Sequence, residues 1–275
     1  MKKQQIKLIK YDLIAGFRYN LKKYIILILF VAACCSVYYV QLNDSIDQLG
    51  EIKAGYLDYV IEMLMGSPSF NLATGLKIPI QLIGIHIIIG SVVGYYPFDD
   101  INGYGKQIFI RTSKKSKWWN SKVIWCMTSV VFSYVLIFLT IFLFCLFMGQ
   151  SIISSYHPEM FEITEQVYIG GMHFTSVVAY MFILPVVYSC FASLLQVSLS
   201  MIIGPILSFL VNMFLLFLGI VVTTPLILIN YAMLLRNYMI SGVNITGRVG
   251  LVVLCLGLAV TYFVGRIFVN KKELY

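Results

Sequence analysis

Residues Val123 to Met148 read VIWCMTSVVFSYVLIFLTIFLFCLFM, without one Asp, Glu, Lys or Arg. As an α-helix rising about 1.5 Å per residue, this run is long enough to cross the roughly 30 Å hydrocarbon core of a bilayer. In water it would have to be wrapped by other protein on every side. In lipid it needs only to satisfy its own backbone groups, which a helix does internally.

Five more runs of this kind lie on either side, at 24–41, 76–96, 174–195, 200–222 and 249–269, each of 18 residues or more. The composition agrees. Of 275 residues, 60% are hydrophobic and 12% charged, about half the charged share of a soluble domain. The expected fold is all-α, a single polytopic membrane domain with six transmembrane helices. The patch Gln196-Val197-Ser198 and the pair Gly204-Pro205 predict a tight turn between the fourth and fifth spans. Pro79, Pro185 and Pro205 are placed to kink spans, and Gly90-x-x-x-Gly94 allows close helix approach in the second. All six cysteines fall inside apolar runs, which reads as small core residues with no disulfides expected.

The net charge of +8 reads as a topology signal, with no nucleic acid implied, because the basic residues are segregated by loop. Sixteen of the twenty lie before the first span, between the second and third, or after the sixth. The intervening loops carry Asp44, Asp47, Glu51, Asp58, Glu62, Glu159, Glu162 and Glu165. The positive-inside rule then predicts cytoplasmic termini and a cytoplasmic second-to-third loop. The expected location is a bacterial cytoplasmic membrane, crossed several times. Val31-Ala32-Ala33-Cys34 has the form of a lipoprotein cleavage site. The apolar run continues to Val40 and five more spans follow, so the first span reads as a permanent helix.

Within residues 1–23, Ile6, Leu8, Ile9, Leu13, Ile14 and Phe17 recur at near-helical spacing with lysines opposite. This predicts an amphipathic helix on the cytoplasmic membrane surface, in contact with lipid. Residues 56–64 read as a short helix in the first outer loop. Residues 223–247 stay apolar but are broken by Pro225, Asn230, Arg236 and Asn237. A re-entrant or interfacial segment accounts for them.

Groups for chemistry are scarce. His86 is the one ionisable side chain deep in a predicted span, with Gln81 near it and Asn212 a further polar candidate. No carboxylate lies in an apolar run, which disfavours an ion-coupled transporter. His86, His157 and His173 lack the spacing of a zinc protease, no Gly-x-Ser-x-Gly occurs, and no phosphate-binding Gly-x-x-x-x-Gly-Lys-Ser/Thr is present. No catalytic residue, metal site or cofactor is expected, and the chain does not read as an enzyme.

The most informative segment is the predicted cytoplasmic loop 97–122. It runs from Asp99, Asp100, Gly103, Gly105 and Lys106 through Ile108 and Arg111. It continues with Lys114 and Lys115 to Trp118, Trp119 and Lys122. Acids and glycines come first, then a short helix-compatible stretch, a basic turn, and two tryptophans at the expected interface. This order resembles the loop of permease subunits of type-2 ATP-binding-cassette exporters. There an acidic residue and a glycine precede a short coupling helix and a basic turn. Asp99 or Asp100, Gly103 or Gly105, Ser113-Lys114-Lys115 and Ser121-Lys122 match it. Tyr104 stands where threonine is more usual, and no proline precedes the basic turn.

The resemblance implies a membrane-spanning subunit that works with a cytoplasmic ATPase, which binds the ATP, and with a second permease subunit, identical or related. It implies export of a hydrophobic or amphipathic substrate such as a peptide, drug or lipid. Gram-positive members often export bacteriocins or confer immunity to them. A membrane immunity or sensor protein acting by binding alone is the alternative reading.

Overall fold

The structure, a computed structural model, describes residues 2–44, 54–70, 75–103, 105–106, 115–152, 156–165, 168–169, 171 and 173–271. These residues form helices and connecting turns, with one isolated bridge between Gly55 and Ser151. Helix α1 is Lys2–Asp44, α2 is Tyr56–Leu64, α3 is Ile80–Asn102, α4 is Lys115–Phe147 and α5 is Pro158–Glu165. Helix α6 is Phe174–Ile203, α7 is Pro205–Val221, α8 is Tyr238–Ser241 and α9 is Gly247–Lys271. Five of these, α1, α3, α4, α6 and α9, are long and apolar enough to cross a membrane. Helix α7 has 17 residues, about 25 Å of helix.

Helices α3 and α6 are the most enclosed, and α1, α4 and α9 each turn one face outward. Helix α1 packs along α4 and α3, while α6 lies against α9, α7, α3 and α4. The outward faces carry Leu29, Val135, Leu139, Leu256 and Val260, as lipid-facing surfaces do.

The leading segment is not a separate surface helix. It continues into the first apolar run as one helix of 43 residues. The reason is visible in its buried positions, Asp12, Gly16, Asn20, Tyr24, Leu27, Val31, Cys35, Tyr38 and Leu42. They recur every three or four residues, so a single stripe runs from the leading segment through the apolar run. Near its start, Gly16 lets α4 approach; a Cβ there would overlap the Trp125 indole.

The break between α6 and α7 falls at Gly204, whose φ of +85° belongs to a region open in practice only to glycine. Gln196-Val197-Ser198, expected in the turn, lies inside α6. Asn212 and Gln196 stand eight residues on either side of Gly204, and the Asn212 amide donates to Gln196 Oε1 at 3.2 Å. That bond fixes the two helices as an antiparallel hairpin. Pro205 and Pro79 begin helices without kinking them, since a first-turn proline loses no helical hydrogen bond. Pro185 comes two residues after the end of a widened π turn at Ala179–Ile183, which relieves the clash of its ring with the preceding turn. Pro97, not singled out in the sequence, lies inside α3.

Helix α2 forms where expected and is almost wholly buried beneath α1, α3 and α4. Asp58 makes this possible. It accepts from the Gly55 amide at 2.7 Å, the His157 amide at 2.8 Å and His157 Nδ1 at 2.9 Å.

Residues 223–247 fold as two 3-10 turns, Leu228–Ala232 and Leu234–Arg236, followed by α8. The same polar residues that break the apolar run satisfy its irregular backbone. The Asn230 amide donates to the Val222 and Thr224 carbonyls at 2.9 Å each. Arg236, fully buried, donates to the Ser67 and Ile220 carbonyls at 2.7 Å each.

Candidate functional site

One end of the bundle gathers the start of α1, the end of α3, the start of α4 and the end of α9. Lys115 reaches the Asn270 carbonyl there at 3.4 Å. At this basic end Lys122 is completely buried between two carboxylates, 2.7 Å from Asp12 and 2.7 Å from Asp100. Three helices each contribute one charge, α1 through Asp12, α3 through Asp100 and α4 through Lys122.

The surroundings complete the node. Tyr96 donates to Asp12 at 3.0 Å, and Ser121 donates to its other oxygen. The Trp118 indole approaches Asp100 at 3.4 Å. The Lys122 ammonium also lies over the Tyr96 ring at 4.5 Å and the Trp118 ring at 5.2 Å. Two carboxylates against one ammonium leave an excess of negative charge, which the hydroxyl and indole donors offset. Ionic groups removed from water attract strongly but tolerate little displacement, so the node fixes the relative positions of α1, α3 and α4.

A second set of contacts extends it. Tyr19 donates to Asp99. Lys23 donates to the Ser91 carbonyl and lies 5.4 Å from the rings of both Tyr19 and Tyr95. The Trp119 indole donates to the Tyr262 carbonyl of α9 at 3.2 Å. Both tryptophans, expected at the membrane interface, are fully buried inside the bundle.

The loop expected at 97–122 is shorter in the structure, because α3 runs to Asn102 and α4 begins at Lys115. The polar ends of these helices are retained because their side chains find partners in the node. Gly103 ends α3, its amide donating to the Asp99 carbonyl at 2.9 Å. Gly105 is buried where a Cβ would overlap the Asp100 carboxylate. The Lys106 amide donates to the Gly103 carbonyl at 3.1 Å. Ile108, Arg111 and Lys114 lie outside the described residues.

The polar residues expected within spans do not join this node. Gln81 donates to Glu62 at 3.1 Å. His86 Nδ1 faces the Leu82 carbonyl at 2.8 Å, and its Nε2 lies 3.2 Å from the Ser189 hydroxyl, itself 2.8 Å from the Tyr134 hydroxyl. A neutral ring that donates through Nδ1 and accepts through Nε2 fits both contacts. The Tyr134 hydroxyl donates to the Pro185 carbonyl at 3.1 Å and lies against Ser189, so these polar groups link α4, α6 and α3 in a packing role. Asn212 bonds Gln196, whose amide nitrogen donates to the Gly90 carbonyl at 2.9 Å. A Cβ at Gly94 would overlap that same amide, so the glycine pair admits a glutamine from α6. Among the described residues, no group of three His, Cys, Asp or Glu is arranged to hold a metal ion.

Sequence reasoning missed Asp12 and Tyr96, and it placed Gln196 in a turn. For Asp12 a signal exists: it is in helical phase with Tyr24, Leu27 and Val31, hence on the buried stripe despite its charge. The chain matches no protein-family model, and comparison with curated proteins finds no match.

Proposed function

We propose that this chain is the membrane-spanning subunit of an ATP-driven exporter in a bacterial cytoplasmic membrane. The Asp12–Lys122–Asp100 node carries the reading. It joins the leading helix to both helices that flank the 103–114 connection, so force on that connection moves three helices together. A helical lever braced by buried charge suits a protein driven by a partner's conformational change. It is of less evident use to a protein that acts by binding alone.

In this reading the basic end faces the cytoplasm, in keeping with its lysines. Both termini are then cytoplasmic. Helix α7 serves as the short fifth of six spans, with local bilayer thinning to accommodate it. Residues 223–247 re-enter the membrane, their backbone satisfied by Asn230 and Arg236. A cytoplasmic ATPase binds ATP and pushes on the connection through residues between Gly103 and Lys115. A second permease copy or a related chain completes the path for a hydrophobic or amphipathic substrate. The chain performs no catalysis, and the energy comes from the partner.

Co-purification of the tagged chain from native membranes in mild detergent tests this. A stoichiometric soluble ATPase is expected, and Ile108→Pro or Arg111→Glu should abolish transport while membrane insertion persists. Recovery without any ATPase, or normal export by both variants, overturns the proposal in favour of an immunity or sensor protein.

A further inference from the structure

The outward face of α1 carries charge at a level where the rest of the bundle is apolar. Asp12 meets Lys122, a Cβ on Gly16 would overlap Trp125, and the Tyr24 ring lies 5.2 Å from that of Phe132. The partners in each pair are about 110 residues apart, so α1 and α4 run parallel in one register. On that register Arg18 falls level with Met127 and Lys22 with Val131. The apolar run of α4 begins at Val123, so Lys22 lies about 12 Å inside it at 1.5 Å per residue. Arg18 and Lys22 are both exposed. Lys23 turns inward and donates to the Ser91 carbonyl. Among the described residues, Arg18 and Lys22 form no ion pair.

The other outward faces are apolar at this level. Helix α4 presents Val131 and Val135. Helix α9 is placed by the Tyr262 and Asn270 carbonyls, which meet Trp119 and Lys115. It presents Val252, Leu256 and Val260, and the apolar face continues to Phe263 and Ile267, near the levels of those two partners. A flat bilayer surface through both Lys22 and Ile267 would descend about 20 Å along the bundle. It would do so across at most about 20 Å, since α1 and α9 both pack on α4. That slope, about 45°, exceeds the usual range of helix tilts, so a tilted bundle does not account for these charges. Ionisable residues at such depth face protein or a water-filled cavity, and seldom lipid. Arg18 can extend its head toward the bilayer surface; Lys22 lies twice as deep.

The face has the chemistry to hold an amphipath. Arg18 and Lys22 share it with no acid, because Asp12 turns into the charge node. A groove of about 450 Å³ opens beside them, lined by Tyr11, Ile14, Ala15, Arg18 and Tyr19. Leu21, Ile25 and Leu29 continue the same face as exposed apolar residues. We propose that this face of α1 lines a water-filled cleft within the bilayer, and that the cleft takes in amphipathic molecules by an anionic end. Arg18 and Lys22 hold the anion, and the apolar part lies along Leu21, Ile25 and Leu29. The substrate class rests on the exporter reading; the access of water does not.

Thiol labelling of the purified full chain in phosphatidylcholine nanodiscs tests this, with the modified sites resolved by peptide mass spectrometry. Native Cys255 is the internal control, exposed on the apolar face of α9 near the level of Arg18. Leu21→Cys is a small change at an exposed position beside both cations. It should react with membrane-impermeant methanethiosulfonates at least about tenfold faster than Cys255. Ile25→Cys repeats the measurement at a second exposed position on the same face. The anionic sulfonatoethyl reagent should outpace the cationic trimethylammonium reagent by about fivefold, and Arg18→Gln with Lys22→Gln should remove that preference. Dodecyl phosphate below its micelle concentration should slow the labelling, and dodecyl trimethylammonium should not. Labelling of both introduced cysteines as slow as that of Cys255 overturns the cleft. A preference for the anionic reagent that survives loss of both cations overturns the anion assignment. Equal protection by inorganic phosphate would assign the face to a small anion and overturn the amphipath. None of these outcomes requires an ATPase, so the exporter reading stands or falls separately, by co-purification.

Discussion

At the basic end of the bundle a lysine is buried between two carboxylates; at the opposite end an arginine is buried among carbonyls. Lys122 sits 2.7 Å from each of Asp12 and Asp100. Arg236 is held by Ser67 and Ile220 through neutral oxygens. The first arrangement couples formal charges on three helices. The second uses one flexible side chain to satisfy the backbone of an irregular segment. Loss of the cation should therefore have different consequences at the two ends.

The largest effect is expected from Lys122→Met. It leaves Asp12 and Asp100 facing each other in a buried site without their counterion, at a cost of about 3–5 kcal/mol. Unfolding of the purified protein in detergent, followed by circular dichroism, measures the loss. Adding Asp12→Asn and Asp100→Asn to Lys122→Met should recover most of it, because no uncompensated charge then remains. Failure of the triple variant to recover would mean that packing around the lysine stem, and not charge, holds the three helices.

Arg236→Met should cost less. It strips donors from two carbonyls but leaves no charge behind, and an unsatisfied buried polar group costs about 1–3 kcal/mol. The same unfolding assay ranks the two variants. A larger loss from Arg236→Met than from Lys122→Met would break the comparison and make the 223–247 segment the principal brace of the bundle.

The contrast also explains what the sequence made legible. Apolar run length is a one-dimensional signal, so the long apolar helices around Val123–Met148 could be read directly, as could the glycine at 204 that divides α6 from α7. Burial of a charge is decided by distant partners. Asp12 meets Lys122 across 110 residues, and a local reading of its segment saw only lysines on a surface face. Gln196 looked like a turn residue because it interrupts an apolar run, yet its amide donates to a carbonyl on another helix, at Gly90. Trp118 and Trp119 read as interfacial because aromatic rings suit that zone. Within the bundle their indole donors reach Asp100 and the Tyr262 carbonyl. Asp100 and Lys122 were singled out for a loop facing a partner, and the structure turns both inward.

The smallest effect concerns Asp58, which resembles the basic-end acids in burial but has a histidine for a partner. Burial raises its pKa above the usual carboxylate range, while the bonds from His157 and the Gly55 amide pull the other way. An acid whose folded pKa exceeds its unfolded value contributes its full stability below the unfolded value. That contribution fades as pH rises through the folded one. The stability of the unaltered protein relative to Asp58→Asn should therefore increase as pH falls from 7 to 4, by unfolding measured at each pH. The Asn variant removes the titration while keeping the side chain's size. A change of the opposite sign would mean that the His157 pair outweighs desolvation. Asp58 would then behave as an ion-paired acid in the manner of the basic-end node, and the two ends of the bundle would differ only at Arg236.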